Sequence, residues 1–249
     1  MSGKLFKGDI SNSVVELNLL EGDAGSLSYG IGGTNNGEIK VVHKGDITQS
    51  SGFYDAGSSL ASNDMKGLVI GTSCTSIGSS AFYYCTGLTG NLVIPDSVTT
   101  IGSMAFGYWG ISTPIGTLTI GNSVTSIGSY AFSYSYFTGD LIIPDSVTTI
   151  GDFGFADVNF TNVMFNGNIV IGNGVTSIGS NAFYGVGTTA LYINCPASSW
   201  IGTNALQNTY LLTDIYVHAD YATGYDATWK NNQVTTATVQ PWTNYPNIP

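Results

Sequence analysis

The chain has 249 residues, of which only 9% are charged, against about 25% in an average soluble domain. It holds six Lys, no Arg and 16 acidic residues, a formal net charge of −10. The absence of clustered cations excludes nucleic acid and anionic membrane surfaces as partners, and a hydrophobic content of 43% argues against disorder along the chain.

Residues 1–64 carry eight of the acids and four of the six Lys. Ser-Val-Val-Glu-Leu-Asn-Leu-Leu from Ser13 and Gly-Glu-Ile-Lys-Val-Val-His from Gly37 alternate enough to predict two strands. The Gly-Gly-Thr-Asn-Asn-Gly between them reads as a hairpin loop. This region is either a small β domain that anchors the chain in a larger assembly, or the cap that a solenoid needs at its end.

A repeat dominates the chain from Leu68 onward. Leu-Val-Ile-Gly-Thr-Ser-Cys-Thr-Ser-Ile-Gly-Ser-Ser-Ala-Phe begins at Leu68, and copies begin at Leu92, Leu118, Leu141 and Ile169. A degenerate copy starts at Leu191, and a last strand at Ile215. The seven starts lie 24, 26, 23, 28, 22 and 24 residues apart, a period within the 20–29 residues of leucine-rich-repeat solenoids. The Leu-x-Ile triplet predicts a short strand with alternate side chains inward. Pro-Asp or Gly-Asn turns the chain, and Val-Thr-x-Ile predicts a second strand rich in β-branched residues. The Gly after that strand permits a positive φ or a close backbone approach. Phe82, Phe106, Phe132, Phe155 and Phe183 should stack as a ladder, with Leu206 at the next level. The turn alternates Gly-Thr, Pro-Asp, Gly-Asn, Pro-Asp, Gly-Asn, so two coils form a larger unit.

The expected fold is mainly β: a leucine-rich-repeat β-solenoid of about seven coils over 65–218. Residues 219–234 should form a short helical cap, and 235–249, with three Pro and no charge, an extended tail that either docks on another subunit or lies idle. Three cysteines, Cys74, Cys85 and Cys195, cannot all pair, and their spacing fits no zinc template. Cys74 stands where other coils have Val98, Val124, Val147 and Val175, which predicts a buried core thiol.

The pattern Leu-x-Ile-Pro-x-Ser-Val-Thr-x-Ile-Gly-x-x-Ala-Phe-x-x-Cys resembles the BspA-type leucine-rich repeats over roughly 68–232. The stretch from Ile215 resembles that family's end cap, a strand followed by a short helix. The resemblance implies a strand-lined concave face, surface proteins that bind host proteins or other cells, and no catalysis. Two departures stand out. The consensus Cys after Ala-Phe is present only as Cys85, and no export signal is legible.

Catalytic, metal and cofactor sites are not expected. Between Gly67 and Thr213 there is no Lys, Arg, His or Glu, only five Asp, and chemistry needs paired acids and bases. Asp140, Asp145, Asp152 and Asp157 crowd the fourth coil, where turn chemistry is favoured over a calcium site. The strongest signal for recognition lies after each Ala-Phe, in segments of Tyr, Trp, Ser, Gly and Thr with the composition of a paratope. Tyr84, Tyr108, Trp109, Tyr134, Tyr136 and Phe137 are the candidate ligand-binding residues, an aromatic ridge for a protein patch or a surface glycan. The competing reading packs about half of them onto the solenoid. A surface-type composition without an export signal points to a virion component, a phage tail fibre or capsid accessory protein, held to other subunits through 1–64 or the tail. A bacterial or protist cell-surface adhesin is the alternative.

Overall fold

The structure is a computed structural model that describes residues 72, 74–85, 90–109, 115–157, 164–233 and 236–242, together with the strands at 15–19, 39–43 and 67–70. Strands β1 (Val15–Leu19) and β2 (Ile39–His43) precede five two-strand coils. These are β3 (Gly67–Ile70) with β4 (Ser76–Ile77), β5 (Leu92–Val93) with β6 (Thr100–Ile101), and β7 (Leu118–Thr119) with β8 (Ser126–Ile127). The pairs β9 (Leu141–Ile143) with β10 (Thr149–Ile150) and β11 (Ile169–Ile171) with β12 (Ser177–Ile178) complete them. Strands β13 (Ala190–Ile193) and β14 (Asp214–His218), helix α1 (Ala227–Gln233) and β15 (Thr238–Trp242) come last.

Every strand pairing among the described residues is parallel, as a solenoid requires. The Val-Thr-x-Ile strands form one sheet in the order β12-β10-β8-β6-β4. The Leu-x-Ile strands form the other wall, in which Leu92, Ile94, Leu141 and Ile143 point inward and Val93 and Ile142 outward. The chain is thus a β-solenoid of about six turns.

The N-terminal hairpin does not form. Val15 of β1 lies opposite Ile39 of β2, and Lys40 lies opposite Gly67 of β3, all in parallel. The offsets, 39 − 15 = 24 and 67 − 40 = 27, fall in the range of the repeat itself. A parallel pair needs a crossover of about a dozen residues or more, and residues 20–38 supply one. The Gly-Gly-Thr-Asn-Asn-Gly segment lies within that crossover, outside the described residues. At the other end the stretch expected to be an extended tail contains β15, paired in parallel with β14, with Thr238 opposite Asp214. Residues 243–249 lie outside the described residues.

The interior is a set of columns. The Phe82, Phe106, Phe132, Phe155 and Phe183 rings stack at 5.2, 5.3, 5.2 and 5.6 Å, each within 10° of parallel. Leu206 is buried at the next level. The sixth coil departs from the pattern: Trp200, not Ile201, turns inward against Phe183, while Ile201 is 69% exposed. The Trp200 Nε1–H donates to the Tyr225 hydroxyl at 3.1 Å, which satisfies the one polar atom of the buried indole.

The corner Gly acts by close approach. A Cβ on Gly128 would stand 2.5 Å from the Ser103 amide nitrogen of the preceding coil. The turn alternation has a similar cause. A Cβ on Gly121 would stand 2.5 Å from the Pro95 carbonyl oxygen, and one on Gly172 would lie 2.7 Å from the Asp145 amide nitrogen. The Asp of the Pro-Asp coil then accepts from the Asn amide of the Gly-Asn coil, Asp96 from Asn122 at 2.7 Å and Asp145 from Asn173 at 2.8 Å. Glycine lets the next coil approach the Pro-Asp turn, and the carboxylate satisfies an amide that the turn would leave unpaired.

All three cysteines are buried thiols. Burial pushes the Cys85 thiol up to about 12. Burial raises the Cys195 thiol to about 11, against the lowering effect of its contacts with Tyr225, Ser199 and Trp200. In the unfolded chain both titrate near 9. A raised folded value means that their contribution to stability is complete below pH 9 and is lost as pH rises towards 11 to 12. The folded protein should therefore resist a thiol-modifying disulfide reagent at pH 8, and all three thiols should react once it is unfolded in urea. Rapid labelling of the folded chain would contradict this burial.

Candidate functional site

The Ala-Phe corner is hydrogen-bonded from coil to coil at alternate residues. Ser80, Phe82 and Tyr84 donate to the Ser103, Ala105 and Gly107 carbonyls, and Met104, Phe106 and Tyr108 donate to those of Ser129, Ala131 and Ser133. Left-handed residues at two places in the corner aim these amides at the next coil. One precedes Ala-Phe (Ser80, Met104, Tyr130, Phe153, Asn181, Asn204), with φ between 55° and 60°. The other is the second residue after Phe (Tyr84, Tyr108, Tyr134), with φ between 59° and 64°, a place filled by Gly185 and Asn208 in later coils. The conformation costs an L-residue roughly 1–2 kcal/mol, and Gly and Asn tolerate it best.

The left-handed residues carry their side chains to the outside of the solenoid, where two aromatic rows form. Tyr84, Tyr108 and Tyr134 stack at 4.7 and 4.1 Å, both within 14° of parallel. Tyr84 is 43% exposed, and Tyr108 and Tyr134 are half-buried. Burial and a hydrogen bond with Tyr134 push the Tyr108 phenol above its ordinary range. Tyr83 lies edge-on to Tyr84 and Tyr108 at 5.2 and 5.5 Å, close over Gly107. In the second row Tyr130 stacks on Phe153 at 4.8 Å, with Met104 exposed in the coil before.

The other candidate ridge residues lie inside. Trp109 and Phe137 are buried, join the core cluster and form a second interior column with Phe165, with ring separations of 5.8 and 6.2 Å. Tyr136 is buried too. The reason is positional. The third residue after Phe is an inward place, held by Cys85, Trp109, Ser135, Val186 and Thr209, all buried. Trp109 therefore occupies the place of the consensus Cys, a signal already present in the Ala-Phe-x-x-Cys spacing. Tyr130, Phe153 and Met104 escape sequence reasoning because the residue before Ala-Phe varies freely and its left-handed backbone has no mark in the sequence.

The acids are engaged in the fold. Asp140 accepts from the Asn168 amide and Asp152 from the Ser180 amide, both at 2.7 Å, as Asp96 and Asp145 do from theirs. Among the described residues no three His, Cys, Asp or Glu gather as metal ligands. His218 ends β14, its Nδ1 3.5 Å from Asp220, and Trp242 packs edge-on to it at 5.1 Å. Within the described residues no helix is long and apolar enough to cross a membrane.

Met104 offers a direct measure of the backbone strain, since Asn181 and Asn204 hold the same place in later coils. Met104→Asn should raise stability by roughly 0.5–1 kcal/mol, read as a higher urea midpoint. A lower midpoint would mean that the strain is smaller than the packing it permits.

Short coils of paired strands, stacked in parallel on a 22–28-residue period, define a leucine-rich-repeat solenoid. The family model for the BspA-type leucine-rich repeat region matches residues 57–171 and 160–245 with six copies, and the chain belongs to that family. Among solved structures it is similar to a leucine-rich repeat protein from Eubacterium ventriosum, at 22% identity and a TM-score of 0.40, over 64% of this chain and 33% of that one. A leucine-rich repeat protein from Bacteroides ovatus gives 20% identity and a TM-score of 0.33, over 62% of this chain and 55% of that one. The pneumococcal vaccine antigen PcpA gives 12% identity and a TM-score of 0.39, over 96% and 91%. The chain thus spans about a third and about half of the first two. No curated protein matches it.

Proposed function

We propose that the chain is a non-enzymatic recognition module whose aromatic corner docks a protein partner. The observation that carries this reading is the strained backbone under the exposed aromatics. In the first four coils Tyr84, Tyr108, Tyr134, Met104, Tyr130 and Phe153 hold left-handed places that Gly and Asn fill in later ones. Large side chains kept where they cost stability point to a surface role. Stacked rings are also rigid, so little side-chain entropy is lost on binding. Their mutual stacking supports a protein partner over a glycan: the ring faces that a sugar would cover are turned towards each other, leaving edges and hydroxyls outward.

The finer reading is a module on the surface of a virion, a tail-fibre or capsid accessory component. A charge-poor composition rich in Gly, Ser, Thr, Asn and Tyr supports exposure. A cell-surface adhesin of a bacterium or protist is the second reading, favoured by the family's usual setting. One native pull-down from the source material, analysed by mass spectrometry, separates them: capsid or tail proteins support the first, envelope or host glycoproteins the second. Against the protein so identified, Tyr108→Ala with Tyr134→Ala should weaken binding by roughly thirtyfold or more, the effect of losing one 2 kcal/mol hot spot. Unchanged affinity in a normally folded double variant would sink the aromatic-corner reading.

A further inference from the structure

The same corner carries a reactivity separate from its recognition role. Tyr108 and Tyr134 occupy equivalent places in successive coils with φ of 60° and 59°, so their rings lie in register. The centroids are 4.1 Å apart at 14°. Stacked at that distance, the ring carbons of one phenol lie within contact range of those of the other. A phenoxyl radical places its unpaired spin on the oxygen and on the ring carbons adjacent to the C–O bond. Both rings reach solvent, whereas all three thiols are buried. Among the described residues, stacked phenols are thus the groups that a surface oxidant meets first in pairs.

We propose that Tyr108 and Tyr134 are a site of oxidative cross-linking, joined as dityrosine by a one-electron oxidant of the haem-peroxidase class with hydrogen peroxide. Each phenol gives up one electron and one proton. The two phenoxyl radicals couple through a carbon–carbon bond between ring positions adjacent to the hydroxyls. Each coupled carbon then passes its hydrogen to its own oxygen, restoring two phenols. In sum, two tyrosines and one hydrogen peroxide give one dityrosine and two waters. The bond covalently ties the second coil to the third. The radicals need not diffuse to meet, because the stack already holds them at contact distance. The coupling is independent of which partner the corner binds.

The test treats dilute full-length chain with a haem peroxidase and hydrogen peroxide, isolates the monomer and maps its peptides. The expected product joins the Tyr108 and Tyr134 peptides, two hydrogens lighter than their sum, with dityrosine fluorescence and a raised Tm. Tyr134→Phe keeps the ring stack but lacks the second phenol, and should lose this link. The Tyr192–Tyr216 pair, stacked at 4.8 Å, is untouched by that variant and reports that the oxidant acted. Absence of the 108–134 link from the folded wild-type monomer would overturn the proposal. So would an equal yield from chain unfolded in urea, since the fold would then contribute nothing.

Discussion

Phe132→Ala is expected to lower stability by about 4 kcal/mol, the middle of the range for emptying a buried aromatic site. Phe132 is fully buried between Phe106 at 5.3 Å and Phe155 at 5.2 Å, and Phe137 meets its edge at 6.2 Å. The backbone around it is fixed by coil-to-coil hydrogen bonds, from the Phe132 amide to the Gly154 carbonyl at 2.8 Å and from the Phe106 amide to the Ala131 carbonyl at 2.8 Å. The walls therefore cannot collapse into the space, which is the condition under which a cavity is most costly. In a solenoid each level touches only its neighbours, so adjacent rings should couple. Phe132→Ala combined with Phe155→Ala should cost about 1 kcal/mol less than the sum of the two single losses, because each single variant also removes the stacking partner of the other. Urea denaturation of the two single variants and the double variant measures the difference. Strictly additive losses would show that the rings contribute singly and not as a column.

Gly128→Ala should have the next largest effect, about 3 kcal/mol, although it adds one methyl group. The new Cβ would stand 2.5 Å from the Ser103 amide nitrogen and 2.6 Å from the Gly102 carbonyl carbon. Both are backbone atoms, so no side chain can swing aside. Relief requires the second and third coils to separate at that corner, weakening bonds such as that from the Gly128 amide to the Ile101 carbonyl at 2.8 Å. Ser129→Ala, one residue on, already has a Cβ and is the control. Hydrogen exchange would place the damage: amides of the second and third coils should lose protection before those of the fifth. A loss of less than about 0.5 kcal/mol, the size of an ordinary surface substitution, would mean that the corner has room for a methyl group.

Most of the fold was legible because one coil predicts the next. Leu-x-Ile, Val-Thr-x-Ile, Gly and Ala-Phe each recur for a packing reason, and recurrence at a fixed period removes the ambiguity of any single short strand. The N-terminal strands carried no such recurrence. Without Gly and Ala-Phe to mark a coil, a local glycine cluster suggested a hairpin, and only the 24- and 27-residue offsets reveal parallel stacking. The aromatic corner was half legible. Composition marked its tyrosines as a group, but inward or outward direction depends on backbone conformation, which composition does not carry. Trp109 and Phe137 went inward, and Tyr130 and Phe153 came outward. In the sixth coil Trp200 displaced Ile201 because a capping contact with Tyr225 overrode the repeat.

The alternation of Pro-Asp and Gly-Asn turns gives the solenoid a parity. Gly121 nests against Pro95 and Gly172 against Pro144, whereas two Pro-Asp turns set directly on one another would put a ring carbon where even a single methyl does not fit. A gene rearrangement that removes the Gly121 coil creates that clash, whereas one that removes a Pro-Asp coil, or two adjacent coils, does not. Lineages of this protein should therefore lose a Gly-Asn coil only together with a neighbouring Pro-Asp coil, while a Pro-Asp coil can be lost singly.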